Sequence, residues 1–214
     1  HDSTPVFGAS QKFFTVPGFQ GSRGSVAVID ADSDAQLEII AGTDWGRVVA
    51  FNHDGTTMLD STAILFEATP LGTESRVWGA IAVADLDGDN VREIGFCSWN
   101  DSLYVIEPDG TLEPGFPRGA TLNFRSGPVF ADLDDDGTNE VIAGNDDGGI
   151  YAFDHDGSDY GTGPVLATVP ADIRCVPAVG NVDGDPELEI FVSCMDGRLY
   201  GFEHDGTGIL NPNG

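Results

Sequence analysis

The sequence is poor in positive charge and has no long apolar run. Its 214 residues include only 9 Lys and Arg residues against 36 Asp and Glu residues, so the formal net charge is −27. Nucleic acid and anionic membrane surfaces repel a chain of this charge, whereas cations are attracted to it. No apolar stretch approaches the roughly 20 residues that a membrane-spanning helix requires. We therefore predict no nucleic-acid partner and no membrane insertion.

Cysteine is also scarce. Three cysteines in a chain of this length exclude a scaffold held together mainly by disulfides. One bridge stays open, because Cys175 and Cys194 flank one acidic loop on strands that we expect to be antiparallel neighbours. Cys97 would then be left over, and we interpret it as a small buried hydrophobic residue.

The sequence lacks a helical hydrophobic period and a recognisable catalytic set. Its apolar segments are short, rich in Val, Ile, Phe and Tyr, and separated by Gly, Asp and Asn, which is typical of strands joined by turns. No nucleophile–base pair, zinc-ligand spacing or phosphate-binding loop stands out. Carboxylates are so common here that a pair of them does not indicate a glycosidase. We therefore predict a protein that is not an enzyme.

A tandem repeat organises the chain. Its first acidic positions and its closing glycines recur with the same three spacings of 55, 47 and 49 residues. Repeats of about this length are typical of propellers, solenoids and arrays. The first acidic positions are Asp30, Asp85, Asp132 and Asn181, and the closing glycines are Gly55, Gly110, Gly157 and Gly206. The units cover approximately residues 21–70, 71–122, 123–170 and 171–207.

Each unit contains four candidate strands. The third unit shows them as "PVFAD", "EVIAG", "GIYAF" and, after His-Asp-Gly, "PVLATVP". The third strand is apolar on both faces, as expected for a sheet that is covered on both sides. Four-stranded units packed face to face around an axis form a β-propeller. We therefore predict a single all-β domain, residues 1–214, with four tandem four-stranded blades.

The two ends of the chain are expected to complete the last blade together. Residues 1–4, "HDST", resemble "HDGT" at residues 53–56, so the chain begins where a fourth strand is expected and ends after a third. A strand at about residues 11–18 would close the last blade and remove an exposed sheet edge. The same pattern fits part of a larger propeller, or a two-chain propeller in which two copies exchange this strand. The sequence leaves these alternatives open.

An acidic loop follows the first strand of every unit. Side-chain oxygens occupy its first, third, fifth and ninth positions. Two carboxylates about 4 Å apart repel by roughly 4 kcal/mol at an effective dielectric of 20, so a converging set requires a cation. Ca²⁺ accepts about six to eight oxygens in flexible geometry, and the carbonyl at the seventh position would add one. The predicted ligands are Asp30, Asp32, Asp34, Gln36 and Glu38; Asp85, Asp87, Asp89, Val91 and Glu93; Asp132, Asp134, Asp136, Thr138 and Glu140; and Asn181, Asp183, Asp185, Glu187 and Glu189.

The acidic loops have two alternative interpretations. An EF-hand also begins Asp-x-Asp-x-Asp, but its Glu stands at the twelfth position and a helix flanks it on each side. Here the Glu stands at the ninth position and begins a strand, which excludes an EF-hand. Acidic residues that only solvate a hairpin turn are common, but such a turn does not require a Glu at a fixed distance. We therefore predict up to four Ca²⁺ sites.

The four loops and the "DGxLYxF" strand pattern resemble the FG-GAP or VCBS type of propeller blade. This calcium-binding repeat occurs in integrin α chains and in many secreted bacterial proteins. The resemblance covers residues 21–207 and implies Ca²⁺ in the turn between the first and second strands. It also implies an extracellular location, either secreted or at the cell surface. A literal Phe-Gly-Gly-Ala-Pro pattern is absent, and propellers of this type usually have more blades than the four units found here.

A second recurring set lies in the connections between blades, on the face opposite the acidic loops. Its members are Arg23, Arg125 and Arg174, seven residues before the first loop ligand, and Arg76, nine residues before it. A ring of arginines at the mouth of the channel would bind a uronate, sulfate or carboxylate. Alternatively, each arginine pairs with an acid of the nearby turn between the second and third strands. Those acids are Asp44, Asp101, Asp146 and Asp196.

Three tryptophans accompany these arginines. Trp45 and Trp99 lie in turns between the second and third strands, and Trp78 stands where the other units have Arg. Exposed aromatic rings on loops stack on sugars, although packing between blades explains the same residues equally well.

These observations favour a calcium-stabilised extracellular propeller that serves as a structural, adhesive or interaction module. A lectin-like propeller that binds carbohydrate through the Arg and Trp face is the first alternative. A catalytic or non-catalytic domain of a polysaccharide-degrading protein is the second. The sequence does not identify the protein or glycan partner.

Overall fold

The structure, a computed structural model, describes residues 21–209 except positions 33, 60, 61 and 71. This part of the chain is almost entirely β-structure, and its helical element is one 3-10 turn at Thr73–Ser75. None of the described residues belongs to a helix that is long and apolar enough to span a membrane. The strands are β1 (Val26–Ile29), β2 (Glu38–Gly42), β3 (Arg47–Phe51), β4 (Ile64–Glu67), β5 (Ala82–Ala84), β6 (Glu93–Ser98), β7 (Ser102–Ile106), β8 (Arg118–Gly119), β9 (Val129–Ala131), β10 (Glu140–Gly144), β11 (Gly149–Phe153), β12 (Val165–Thr168), β13 (Ala178–Gly180), β14 (Glu189–Ser193) and β15 (Leu199–Phe202).

The strands form four antiparallel sheets, and each sheet is a meander of consecutive strands. We call them blade 1 (β1 to β4), blade 2 (β5 to β8), blade 3 (β9 to β12) and blade 4 (β13 to β15). Each blade lies within one of the four repeat units. The closing strand predicted at about residues 11–18 lies outside the described residues.

The blades are arranged side by side with their first strands innermost. Strand β1 contacts β5, β5 contacts β9, and β9 contacts β13, so the first strands of successive blades are neighbours. The remaining strands of each blade follow in chain order away from this centre. This radial arrangement of sheets is a β-propeller, and the predicted fold class is confirmed.

Apolar side chains hold adjacent blades together, and three clusters of buried residues lie between blades. Between blades 1 and 2, the fully buried Ile40 and Val48 pack with Ile94 and Phe96. Consecutive residues of a strand point to opposite faces, so each blade presents one apolar set to the preceding blade and another to the next. Burying one such side chain stabilises the fold by about 1.5–3 kcal/mol.

The three cysteines are free thiols, so the bridge considered between Cys175 and Cys194 is not formed. The Cys175 thiol lies against the backbone of Ser193, whereas Cys194 pairs with Ile173 and its thiol donates to the carbonyl of Ala171. The pairing partner of Cys194 is therefore two residues before Cys175 in the chain, and the Cys175 thiol faces the backbone of Ser193 instead of the Cys194 thiol. Cys97 is buried, as expected, and burial raises the pKa of its thiol.

The close approach of blades 2 and 3 near the axis leads to a first prediction. A Cβ at Gly79 would lie 2.3 Å from the backbone oxygen of Ser126, whereas a Cβ at Gly180 in β13 would meet nothing within 4 Å. We expect Gly79→Ala to lower the free energy of unfolding by about 1–3 kcal/mol, as overpacking does. The matched control Gly180→Ala should change it by less than about 1 kcal/mol. Denaturant unfolding of both variants measures the difference, and equal stabilities would contradict this packing.

Candidate functional site

The four acidic loops join the first and second strands of each blade at equivalent places. The first loop residue directly follows the first strand, and the glutamate at the ninth loop position begins the second strand. Strand pairing holds these two ends together, because Glu38 is paired with Ile29 and Glu140 with Ala131. The hairpin register therefore brings residues eight positions apart to the same point.

Each of these glutamates is buried and accepts a hydrogen bond from the backbone of its own loop. In every blade the carboxylate Oε2 accepts the backbone N–H of the residue that follows the first loop position. The pairs are Glu38 with Ala31 (2.8 Å), Glu93 with Leu86 (2.5 Å), Glu140 with Leu133 (2.7 Å) and Glu189 with Val182 (2.6 Å). Sequence reasoning assigned the glutamate only to metal, although its fixed spacing is explained equally by this structural hydrogen bond.

Three carboxylates converge in every loop. One oxygen from each of the three carboxylates lies within 4.8 Å of the other two in each group. The groups are Asp30, Asp32 and Glu38; Asp85, Asp87 and Glu93; Asp132, Asp134 and Asp136; and Asp183, Asp185 and Glu189. The structure thus brings together most of the predicted carboxylate ligands, but the set of three differs among the loops.

Two of the buried glutamates carry an oxygen that has no partner. The Oε1 atoms of Glu38 and Glu189 are buried and accept no hydrogen bond, and the two residues are 0% and 1% exposed. Asp30 Oδ1, in the same group as Glu38, is also buried and without a hydrogen bond. An unpaired buried carboxylate oxygen is costly, and each of these oxygens lacks a hydrogen-bond donor. Arg92 lies 3.9 Å from the other oxygen of Asp30.

The pKa values of the loop carboxyl groups also indicate a lack of positive charge. Burial raises the pKa of Glu93 to about 7. Burial, together with the charges of Asp134, Asp136 and Asp132, raises the pKa of Glu140 to about 8. Burial, followed by the charge of Asp136, also raises the pKa of Asp134. A bound cation would favour the ionised forms of all these groups.

The fifth loop position has a structural role in three of the loops. The side chains of Asp34, Asp89 and Asp136 accept the backbone N–H two residues ahead, at distances of 2.7, 2.6 and 2.8 Å. These bonds are Asx turns, which shape the loop locally. Asp34 and Asp89 lie outside the converging groups, whereas Asp136 belongs to one.

The remaining predicted ligands were backbone carbonyls and one amide. The backbone N–H groups of Gln36, Val91 and Thr138 bind the fifth-position Asp, and coordination by their carbonyls stays a prediction, as it does for Glu187. In blade 4, Asn181 caps its loop, because its Oδ1 accepts the N–H of Gly184 at 2.8 Å.

The recurring arginines lie in the connections that precede the blades, and acids hold three of them. Arg23 lies 3.9 Å from Asp44, and Arg125 binds Asp146. Arg174 reaches the same Asp146 at 3.1 Å and Asp172 at 2.7 Å. The other two predicted ion pairs, Arg76 with Asp101 and Arg174 with Asp196, are not formed. Asp196 binds Arg198 at 2.9 Å, and Asp101 forms no ion pair within the described residues.

Arg76 is held by aromatic rings instead of an acid. Its guanidinium lies 5.0 Å from the centre of the Trp78 ring and 4.7 Å from that of Trp99, and the two rings are 4.4 Å apart. Within the described chain, no carboxylate forms an ion pair with Arg76. Arg23 covers Trp78 and Arg125 covers Trp99, which completes an arginine–tryptophan cluster.

Two of the three predicted tryptophans, Trp78 and Trp99, belong to this cluster, and Trp45 does not. The Trp78 indole donates to Asp44, while the Trp99 indole nitrogen is buried and without a hydrogen-bond partner. Trp45 does not join the edge contact between Trp78 and Trp99 and is 38% exposed. Packing between blades therefore accounts for part of this set, as the second interpretation expected.

Comparisons with known proteins identify the fold and not a family. No protein-family model and no curated protein matches the chain. BamB from Moraxella catarrhalis is similar, with 16% identity and a TM-score of 0.56 over 88% of this chain and 52% of that one. BBS1N, solved in complex with ARL6DN, has 14% identity and a TM-score of 0.58 over 91% and 54%. The computationally designed Ika4 protein has 14% identity and a TM-score of 0.53 over 86% and 94%.

This chain therefore spans about half the length of BamB and BBS1N. At these identities the likeness shows the fold alone, and that fold is a β-propeller.

The buried glutamate hydrogen bond leads to a second prediction. We expect Glu140→Ala to lower the free energy of unfolding in chelator by about 1–3 kcal/mol, because the buried N–H of Leu133 loses its acceptor. Glu140→Gln keeps an acceptor oxygen at this place and should be the more stable of the two variants. Urea unfolding measures both, and equal losses would contradict a hydrogen-bonding role.

Proposed function

We propose that this protein is a calcium-stabilised β-propeller that serves as a non-enzymatic extracellular interaction module. The observation that carries the proposal is the pair of unpartnered buried oxygens on Glu38 and Glu189, each within a group of converging carboxylates. The resemblance to FG-GAP or VCBS repeats belongs to the same proposal, and the spacing of the loop ligands supports this resemblance.

The chemistry of the ligands favours Ca²⁺ over other cations. Every charged group in the four clusters is a carboxylate, and no Cys or His contributes to them. Hard cations bind such all-oxygen sets, whereas Zn²⁺ and Cu²⁺ prefer sites that include imidazole or thiolate. Ca²⁺ also tolerates irregular geometry, which suits four loops that converge on different sets of three residues.

A cation in a loop would also stabilise the contact with the next blade. Arg92 of blade 2 donates to the backbone carbonyl of Asp30 at 2.6 Å, and Asn139 of blade 3 donates to that of Asp85 at 2.8 Å. The first ligand of each of these loops is therefore bonded to the neighbouring blade. Ordering the loop orders this contact too, so the metal would contribute to the packing of whole blades.

The role as an interaction module is supported by the fold. BBS1N was solved in complex with ARL6DN, so one propeller of similar fold binds a partner. The side chains that converge here are carboxylates of the kind that bind cations, and the arginine–tryptophan cluster contains no nucleophile. An extracellular setting fits a site of this type, because extracellular calcium modules operate with weak affinities of about 10⁻⁴–10⁻³ M.

Calcium dependence is the third prediction. Saturating Ca²⁺ should raise the melting temperature by several degrees over chelator, because ligand at about 100 times its dissociation constant stabilises a site by about 2.7 kcal/mol. Scanning calorimetry measures the shift, and Mg²⁺ at the same concentration serves as a comparison because it prefers smaller octahedral sites. An identical melting temperature in Ca²⁺ and in chelator would contradict the proposal.

Variants assign the ions to the loops. Asp32→Asn in blade 1 and Asp183→Asn in blade 4 should each remove one Ca²⁺ from the number bound in isothermal titration. The matched control is Asp101→Asn, which makes the same change of charge in the exposed turn between β6 and β7. The control should bind as many ions as the unaltered protein, and a loss there equal to that in the loop variants would indicate a general charge effect.

A second candidate function is binding of an acidic glycan at the arginine–tryptophan cluster. Arg76 favours it, because this guanidinium stacks on two rings and keeps its hydrogen-bond donors free of carboxylates within the described residues. Arginine recognises uronates and sulfates through two parallel hydrogen bonds, and neighbouring indole rings stack on sugars. The ion pairs of Arg23, Arg125 and Arg174 count against a full ring of four free arginines.

The fourth prediction tests this candidate with an oligogalacturonate probe. Arg76→Ala should weaken its binding at least tenfold in isothermal titration, since the stacked guanidinium is lost. Arg198→Ala is the control, because Arg198 is exposed and bound to Asp196 outside the cluster. Unchanged affinity in the Arg76 variant, or no binding by the unaltered protein, would exclude an acidic glycan at this place.

A further inference from the structure

Two clefts open between neighbouring blades on the side of the propeller that carries the acidic loops. Cleft 1 lies between blades 1 and 2 and has a volume of about 460 Å³, and cleft 2 lies between blades 3 and 4 and has a volume of about 370 Å³. The same elements of the repeat line both clefts. Asp32 and Asp134 are the third residues of their acidic loops, and each faces the turn after the third strand of the next blade, which contributes Asp109 or Asp205. The two clefts are therefore equivalent sites within the repeat.

At the junction between blades 2 and 3, the chain itself fills the equivalent place. A Cβ at Gly115 of blade 2 would overlap the backbone oxygen of Asp156 in blade 3. A Cβ at Gly157 would lie 2.7 Å from the backbone oxygen of Gly115. The backbones of these two blades are thus in direct contact at this point.

The length of the connection between the third and fourth strands accounts for this difference. Counted between paired strand residues, the connection in blade 2 is two residues shorter than that in blade 3 and three shorter than that in blade 1. The pairs are Leu103 with Arg118, Ile150 with Ala167 and Val48 with Phe66, which are 15, 17 and 18 positions apart. The longer connections of blades 1 and 3 supply residues that line the clefts.

Apolar side chains form part of the lining of both clefts. In cleft 1, Leu59 is 50% exposed and lies with Met58 and Val91. In cleft 2, Val165 is 39% exposed and lies with Leu166. Ligand sites in proteins have volumes of about 300–1,000 Å³ and are lined mainly by apolar side chains. Both clefts therefore favour a ligand with an apolar part.

Carboxylates from both neighbouring blades complete the lining. A hydrogen bond from the side chain of Thr111 lowers the pKa of Asp109. The equivalent bond from Thr207 lowers the pKa of Asp205, so both turn aspartates are ionised at neutral pH. The described residues that line the two clefts include no Lys or Arg. The lining carboxylates are Asp32, Asp89, Glu107 and Asp109 in cleft 1, and Asp134 and Asp205 in cleft 2.

This combination of apolar side chains and carboxylates restricts the chemistry of the ligand. A bare metal ion gains nothing from the apolar side chains, and an anion is repelled by the carboxylates. A long side chain that ends in a cation satisfies both parts of the lining, because Lys and Arg bury an apolar stem and keep the charged group at a polar edge. The clefts are thus complementary to such a side chain in both charge and polarity.

We propose that clefts 1 and 2 bind Lys or Arg side chains of a basic segment in a partner protein. The occupant is a polypeptide because two equivalent clefts lie on one side of the molecule, and a chain with several cations occupies both. The formal charge of −27 attracts a basic partner at long range and accelerates the encounter. This inference rests on the proposed role as an interaction module and names the chemistry of the partner.

The first experiment compares two peptides of equal charge. The probes are acetyl-Gly-Gly-Lys-Gly-Gly-amide and the same peptide with 2,4-diaminobutyrate, which has two methylenes fewer, and binding is followed by amide chemical shifts at about pH 6. The lysine peptide should shift the signals of Val91 in cleft 1 and Leu166 in cleft 2, and it should bind at least threefold more tightly because its longer stem is buried. Equal affinities would show attraction by net charge alone and would overturn the proposal.

Single substitutions in cleft 1 then test the location. Leu59→Ser removes an apolar side chain, and Asp109→Asn removes a charge but keeps an oxygen that accepts the bond from Thr111. Each should weaken binding at cleft 1 at least threefold and leave the shift of the Leu166 signal in cleft 2 unchanged. That unchanged response also shows that the variants are folded.

The matched control is Asp54→Asn. Asp54 occupies the equivalent turn of blade 1 and accepts the same kind of hydrogen bond, from Thr56 at 2.7 Å, but it is not among the residues that line either cleft. This variant should bind the lysine peptide as the unaltered protein does. A loss equal to that of Asp109→Asn would indicate a general charge effect and would overturn the assignment of the clefts.

The titration is repeated in saturating Ca²⁺ and in chelator, which separates this proposal from the calcium sites. Glu107, Asp109 and Asp205 lie outside the four acidic loops, so the lysine peptide should bind under both conditions. Complete loss of binding in Ca²⁺ would assign the clefts to the metal and overturn the proposal. Absence of peptide binding together with a Ca²⁺-dependent melting temperature would overturn the proposal for the clefts and leave the calcium-stabilised propeller supported.

Discussion

A buried glutamate at the start of the second strand connects the surface of each blade to its core. Its carboxylate accepts the backbone N–H of the adjoining loop, and this bond fixes the loop against the end of the sheet. The residue that donates the N–H is itself a contact residue between blades in blades 1 to 3. One hydrogen bond thus determines both the loop conformation and the position of a side chain at the blade junction.

The same bond creates the electrostatic condition of the loops. A carboxylate anchored by one oxygen holds its second oxygen close to the aspartates of the loop, and in Glu38 and Glu189 that oxygen is buried without a partner. Raised pKa values at Glu93 and Glu140 reflect the same burial. The protein therefore concentrates negative charge where the backbone is already ordered, which is the arrangement that makes a hard cation effective as a structural element.

Repetition has opposite consequences inside the array and at its ends. Inside, each apolar face is buried by the next copy of the same unit, so stability accumulates from nearest-neighbour contacts. At blade 4, the equivalent face has no further blade on it within the described chain, and side chains such as Leu199 and Val182 become exposed. An exposed apolar face of this kind is a surface for association. The junction between units is therefore a source of stability inside the array.

The sequence alone determined the fold class and the location of the loops, because a repeat with period-two strands and turn residues restricts the local structure of every unit in the same way. It indicated the acidic ligands by spacing, but which three oxygens converge depends on strand register and backbone turns. Only the tertiary structure decided which partners the arginine side chains contact. Arg76 stacks on indole rings instead of binding Asp101, and Arg174 shares Asp146 with Arg125. Equivalent residues are buried at one junction and exposed at the end of the array, because burial depends on what packs against a residue and not on the residue itself.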